Sequence, residues 1–273
     1  MLQYHLGQQE KENWLIAETD FDIRHQGKCE AIFCLGNGYL GQRAAFEEKY
    51  VGQTRDMLIN GTFNRFDEQE VTELPNAADV TNLELILDGE RFSMDSGVLE
   101  DYLRVMDLQT GELTRTLLWT SPAGKKYRLA FSRFVSLSRR HLLGQRVQVT
   151  PLDGPCRLEV DSGIDGQVTN GGTQHFHEGS KRVFNNTILR MTQQTTQSKV
   201  AICLHTAHRF FVGETPAAGK MLPVIDRRIL SVRGTFELPQ GVPFRVEKLT
   251  AVFTGRDPEY LDLPAPEAAA RAE

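Results

Sequence analysis

Short runs of alternating apolar and polar residues, separated by turn chemistry, recur along most of the chain. They constrain its fold more than any other feature. Leu83-Glu-Leu-Ile-Leu87 is followed by Asp88-Gly89 and then by Glu90-Arg-Phe-Ser-Met94. A two-residue Asp-Gly loop between two such runs predicts a β-hairpin, because the turn needs positive φ and Gly adopts it without strain. Residues 115–120 and 127–134 are strand-like and flank the turn residues Ser121-Pro-Ala-Gly124. Val147 and Val149 alternate with Gln148 and Thr150, and Pro151-Leu-Asp-Gly-Pro155 then turns the chain into Arg157-Leu-Glu-Val160. Val200, Ile202 and Leu204 alternate again. In a last strand Phe244 and Val246 share one face, while Leu249, Ala251 and Phe253 take the other. The change of face near Lys248 predicts a bulge or a strand buried on both sides.

Helical signals are few. Residues 42–50 form a candidate helix, though apolar positions in it are sparse. Strands do not alternate with 10–15-residue helical patterns, which argues against a parallel α/β sheet. The expected class is all-β: a large antiparallel β-sandwich of two stacked sheets. At 273 residues with 40% hydrophobic and 25% charged side chains, the chain can bury a substantial core. Its net charge of -5 argues against nucleic acid as the main partner. No apolar run is long enough to span a membrane, and residues 1–12 lack the apolar region of a signal peptide. Cys29, Cys34, Cys156 and Cys203 form no CxxC pair and read as buried free thiols of a reducing compartment. The Asn-x-Thr matches at Asn60 and Asn185 carry no weight without secretion.

Four groups of residues could carry chemistry. Gly36-Asn37-Gly38-Tyr-Leu-Gly41 matches G-x-G-x-x-G, with Asp56 near the spacing of a ribose-binding acid. The segment before Asp56 is not a strand, however, and no second βαβ unit follows. The three glycines are then expected to let a tight turn pass under packed strands. His175 and His177 are two apart, hence on one face of a strand, with Glu178 beside them and His205 and His208 further on. They are either metal ligands or hydrogen-bonded loop histidines. Glu159, Asp161 and Asp165 are carboxylates that acid–base hydrolysis could use, or a strand edge and a turn. Asn60-Gly-Thr62-Phe-Asn-Arg65 together with Leu74-Pro-Asn76 mixes amides and a guanidinium with aromatics, a composition that suits sugars or a surface turn.

Taken together these stretches resemble one family. Residues 30–43, with Phe33, Gly36-Asn-Gly38-Tyr-Leu-Gly41 and Arg43, resemble the opening of the family-65 glycoside hydrolases and phosphorylases, which include maltose, trehalose and kojibiose phosphorylases. The order continues through Asn60-Gly-Thr62, Arg65, Leu74-Pro-Asn76, Leu87-Asp-Gly-Glu90, Asp107-Leu108, Gly111, Leu113, Arg115, Trp119 and Arg133-Phe-Val-Ser136. It runs on through Ile164-Asp-Gly166, Val168-Thr-Asn170, His175-Phe176, Glu247–Thr254 and Asp257. After Asp107-Leu108, Gln109-Thr110 stand where the family has an arginine and a variable residue.

The resemblance implies a galactose-mutarotase-like β-sandwich, a supersandwich, over residues 1–262. Residues 263–273, Leu-Pro-Ala-Pro-Glu-Ala-Ala-Ala-Arg-Ala-Glu, would begin a helical linker to an (α/α)6 barrel. Their composition agrees, since Pro266 suits a first helical turn and the alanines have the highest helix propensity, although a frayed tail would look the same. The general acid and the phosphate-binding residues would belong to the barrel, so no catalytic residue is expected here. The implied partners are a disaccharide and inorganic phosphate through that barrel, the barrel itself and a second copy in a homodimer. The implied location is cytoplasmic, with no cofactor and no metal. Asn60, Thr62, Arg65 and Asn76 are the substrate-side candidates. Gly36, Asn37, Gly38, Gly41 and Arg43 form the expected structural motif. The other reading is an independent carbohydrate-binding or metal-dependent β-sandwich protein.

Overall fold

The computed structural model describes residues 1–4, 11, 13–217 and 220–258. The expected tail helix over 263–273 lies outside the described residues. The strands are β1 (Leu2–Tyr4), β2 (Leu15–Glu18), β3 (Leu35–Gly36), β4 (Leu40–Gln42), β5 (Met57–Ile59), β6 (Leu83–Leu87), β7 (Glu90–Arg91), β8 (Val98–Asp107), β9 (Glu112–Thr120) and β10 (Lys126–Val135). They continue as β11 (Leu142–Pro151), β12 (Cys156–Asp165), β13 (Phe176–Phe184), β14 (Ile188–Thr195), β15 (Ala201–Val212), β16 (Thr215–Pro216), β17 (Leu222–Asp226), β18 (Ile229–Leu238) and β19 (Phe244–Thr254). All the pairings among them are antiparallel. The large sheet runs β1-β2-β8-β9-β10-β11-β19-β15-β14-β13, with β16 beside β15. The small sheet runs β17-β18-β12-β6-β7, and β3-β4-β5 form a third. The all-β antiparallel expectation is thus met.

The Asp-Gly hairpin forms, but its second arm is a strand over Glu90–Arg91 only and stops short of the expected run to Met94. Leu87 pairs with Glu90, and both Asp88 (φ 52°) and Gly89 (φ 87°) sit in the left-handed region. The Asp88 side chain accepts from Arg157 N, Lys125 Nζ and Tyr127 Oη, which holds the turn against two other strands. The last strand stays in register with β11 and β15 through Lys248, and Ala251 and Phe253 on its outer face are buried as well. Of the two alternatives for β19, burial on both sides is the one the chain adopts.

The apolar core lies between the large and small sheets. Trp119, Tyr127, Leu129 and Phe131 reach in from the large sheet, and Leu85, Leu87, Leu158, Val160, Val232 and Phe236 from the small one. Phe92 packs edge-on to Trp119 with centroids 5.4 Å apart, and the indole N–H donates to Ser96 O at 2.7 Å. Each such large side chain stabilises by about 1.5–3 kcal/mol on burial.

Beside this core runs a polar seam that sequence reading missed. Arg133, Gln145, Lys248 and His208 are direct partners across β10, β11, β19 and β15, and all four are buried. Arg104 and Arg115, themselves partners across β8 and β9, continue the buried charge. The segment they meet is residues 44–48, buried on every side. Here the helix expected over 42–50 does not form. Its carbonyls are taken by guanidinium groups instead: Arg104 donates to Ala44 O, Arg133 to Ala45 O, and Arg55 to Glu47 O and Glu48 O. A helix would need those same carbonyls for its own amides. Among the described residues the α-helix is α1 (Gln26–Ile32), which was not foreseen; its seven residues hold Cys29 and Glu30 buried.

Candidate functional site

The glycine-rich segment is the β3–β4 hairpin. Gly36 and Gly41 face each other across it, and Gly38 takes φ +85° at its tip. Asn37 braces the turn from inside, its Oδ1 accepting from the amides of Tyr39 and Leu40. Its Nδ2 donates to Ser136 O at 2.7 Å and Arg140 O at 2.9 Å, tying the hairpin to the β10–β11 connection. Tyr39 Oη donates to Asp257, whose carboxylate also takes the amide and hydroxyl of Thr254. Burial and that carboxylate push the Tyr39 phenol well above its usual range. Arg43 bonds Glu30 Oε2 at 3.0 Å and Gly27 O at 2.9 Å, locking α1 to β4. No helix opens at Gly41, where β4 continues to Gln42, so the geometry is that of a hairpin and not of a phosphate-binding turn.

The Asn60–Arg65 stretch packs onto that hairpin, with Asn60 Nδ2 donating to Gly38 O at 3.1 Å. Thr62 is fully buried and its hydroxyl donates to Ile59 O, so it closes a turn and offers nothing outward. Asn64, not singled out from sequence, is the anchor. It is fully buried; its Nδ2 reaches His175 Nδ1 and Thr196 Oγ1, and its Oδ1 accepts the amides of Gln197 and Ser198. A backbone bridge from Asn64 to Glu73 completes the clamp. The loop therefore holds Phe63 (48% exposed) and Phe66 (50% exposed) out from a fixed base. Arg65 between them makes no hydrogen bond or ion pair to any described residue, the nearby carboxylates of Asp67 and Glu68 included.

Asn76 belongs elsewhere. Its Nδ2 donates to Asp56 Oδ1 at 2.8 Å and to Thr169 O at 3.1 Å, and its amide donates to Asn170 Oδ1. It lines a cleft of about 480 Å³ with Lys49, Arg55, Asp56, Asp165 and Gln167, to which Asn60, Thr62 and Arg65 do not contribute.

The other groups separate. His175 and His177 do not share a face: His175 is buried ahead of β13, whereas His177 is exposed. Alternation starts only where the strand does, at Phe176. His175 Nε2 lies 2.8 Å from Glu73 Oε1. His205 and His208 are buried in β15, and burial lowers their pKa to about 4 and about 3, which keeps both neutral at pH 7. Glu159 and Asp161 share the outer face of β12 but are each occupied, by Arg157 at 3.4 Å and Arg233 at 2.7 Å. Asp165 sits at the end of that strand in the cleft, its pKa raised by burial. Cys29, Cys156 and Cys203 are buried free thiols, but Cys34 is exposed in the turn after α1, a correction to the expectation for all four.

Residues 16–273 match the family described as glycosyl hydrolase family 65, N-terminal domain. Kojibiose phosphorylase of Halothermothrix orenii is 40% identical over 259 residues, 95% of this chain and 33% of that protein. Kojibiose phosphorylase of Escherichia coli is 36% identical over 189 residues, 68% of this chain and 25% of that protein. Alpha,alpha-trehalose phosphorylase of Thermoanaerobacter brockii is 36% identical over 174 residues, 58% of this chain and 22% of that protein. Thus the chain spans at most about a third of the length of these curated relatives. A solved structure from the human microbiome, of a protein proposed to be a kojibiose phosphorylase, superposes with a TM-score of 0.81. It does so at 16% identity, over 96% of this chain and 37% of that one, which speaks to the fold.

Proposed function

The chain belongs to the N-terminal-domain family of glycosyl hydrolase family 65, and we propose that it is the non-catalytic N-terminal domain of an enzyme that phosphorolyses an α-linked glucosyl disaccharide. The observation that carries this reading is the 40% identity to a kojibiose phosphorylase over 95% of the chain. The reaction is inverting and yields β-glucose 1-phosphate. A carboxylic acid on a downstream (α/α)6 barrel protonates the glycosidic oxygen while phosphate attacks the anomeric carbon from the opposite face. The domain helps the barrel fold, contributes to a homodimer and shapes the entrance to the barrel's pocket. For that last role the rigid 60–66 loop is the element of choice, since it presents Arg65, free of any partner among the described residues, between two exposed aromatics. A guanidinium fork there can hold a pair of sugar hydroxyls or an anion. The occupied pairs at Glu159 and Asp161 support a domain without its own acid–base couple. A cytoplasmic location is supported by the four unpaired cysteines. No helix among the described residues is long and apolar enough to cross a membrane.

The test is an assay of the purified 273-residue chain with kojibiose, trehalose or maltose plus phosphate. No glucose 1-phosphate is expected, whereas the polypeptide extended by its downstream sequence releases it. Turnover by the short chain alone would overturn the assignment and return Glu159, Asp161 and Asp165 to consideration.

A further inference from the structure

The cleft at the end of β12 lies apart from the 60–66 loop. Lys49 and residues 53–56 line one side, Asp165, residues 167–169 and Gly171 the other, and Asn76 bonds to both through Asp56 and Thr169. Its volume of about 480 Å³ falls in the range of small-molecule sites. The cleft is braced from behind. Asp79 and Asp165 exchange both backbone hydrogen bonds at 2.8 Å, and Arg55 is fixed by Asp79 at 2.7 Å and by two backbone carbonyls. Several polar groups are left over after this bracing. Asp56 Oδ1 takes the Asn76 amide and Asp165 Oδ1 takes the Gln167 amide, while Oδ2 of each carboxylate accepts no hydrogen bond from a described residue. Arg55 Nε is buried without a partner. Lys49, at the rim, is held only loosely by Glu84 at 3.7 Å.

The charges decide what such a cleft can take. An anion entering it meets the carboxylates of Asp56 and Asp165. A metal cation meets the ammonium of Lys49 and the guanidinium of Arg55. A neutral ligand rich in hydroxyls meets no net repulsion and matches both kinds of free group, because each hydroxyl can donate to a carboxylate oxygen and accept from an N–H. We propose that this cleft is a hexose-binding site built wholly from the domain's own residues, with Asp56 and Asp165 accepting from sugar hydroxyls and Lys49 donating to them. No aromatic ring lines the cleft to stack against a sugar face, so affinity is in the millimolar range. Only the choice of glucose as first probe rests on the phosphorylase reading.

The experiment titrates the isotope-labelled 273-residue chain with D-glucose, D-galactose and D-mannose separately, up to roughly 100 mM, well above a millimolar Kd. The backbone amides of Gln167, Thr169 and Gly171 and the side-chain amide of Asn76 are followed by NMR. Saturable shifts confined to these groups are expected for at least one hexose. They should weaken at least tenfold in Asp165→Asn and in the half-buried Asp56→Asn, the second variant serving if the first misfolds. The proposal is overturned if no hexose gives saturation, or if the shifts are unchanged in a folded variant. It is equally overturned if sodium phosphate or calcium chloride saturates these amides and no hexose does. Phosphorolysis by the extended polypeptide is scored separately. Its absence with hexose bound here sinks only the functional reading, and its presence without hexose binding here sinks only this one.

Discussion

Lys248 donates from Nζ to the carbonyl of Gly163 at 2.8 Å and to that of Asn82 at 3.1 Å, so an ammonium rooted in the large sheet is bonded to the backbone of the small one. It is 1% exposed, and burial, reinforced by the nearby Arg55 charge, lowers its pKa to about 7 despite the opposing pull of Asp79. A neutral amine still has two N–H groups, enough for both carbonyls.

This pair sets a pH dependence. The folded pKa lies below the unfolded one, near 10.5, so between about 7 and that value the unfolded chain binds more protons and stability rises with pH. Below about 7 the lysine is charged in both states and the full cost of burying its charge is present. Urea melts of wild type and Lys248→Met at about pH 6 and about pH 9 check this. The wild type should gain on the variant at the higher pH, and a stability gap that does not move with pH would refute the argument.

Arg115 is the second test. It bonds both oxygens of Glu48 at 2.6 Å and Glu47 Oε2 at 2.9 Å, and its guanidinium lies 4.0 Å from the Phe131 ring centre and 4.2 Å from that of Phe46. Burial pushes the Glu47 carboxyl upward, but Arg133 and Arg115 together overcome it and hold the group ionised below its ordinary value. Arg115→Met therefore leaves buried carboxylates short of charge and should cost about 3–5 kcal/mol by chemical denaturation. Arg157→Ala, which removes an exposed partner of Glu159, should cost under about 1 kcal/mol. Equal losses would contradict the seam's role.

Two glycines separate backbone freedom from close packing. A methyl group at Gly38 would meet nothing within 4 Å, so Gly38→Ala costs only the strain of φ +85°, roughly 1 kcal/mol. At Gly163 it would lie 2.3 Å from Leu230 O, so Gly163→Ala should cost several times more or prevent folding. Thermal melts rank the two. Saturable NAD or ATP binding by the wild-type chain would count against the hairpin reading of the glycine-rich segment.

Arg65→Ala removes a side chain with no hydrogen-bond or ion-pair partner among the described residues, so the melting temperature should hold within about a degree. In the extended enzyme it should raise KM for the disaccharide or lower kcat/KM at least several-fold. Kinetics equal to wild type would confine the 60–66 loop to a structural part.

Residues with a local rule behind them are legible in the amino-acid sequence itself. Asp88-Gly89 announces a hairpin because positive φ at two successive positions is a property of the turn itself. The alternation in residues 147–150 and 200–204 announces strands because side chains on a strand change face at every residue. Gly36 to Gly41 can be matched to a family from sequence, and the missing βαβ context already argues against a nucleotide fold.

What depends on distant partners is decided by the tertiary structure alone. Residues 42–50 leave helix open as a possibility, yet the carbonyls and carboxylates between Ala44 and Glu48 are claimed by arginines that lie far along the chain. Asn64 looks like any loop asparagine until His175, Thr196, Gln197 and Ser198 converge on it. Asn76 and Arg65 form one group by their nearness in sequence, but the fold turns Asn76 into a cleft with the distant Asp165 and leaves Arg65 outside it. Local sequence determines which backbone angles are cheap, and so the strands and turns are legible. Which charges meet in the interior depends on how the two sheets stack, a sum over contacts between residues that share no neighbourhood in the chain.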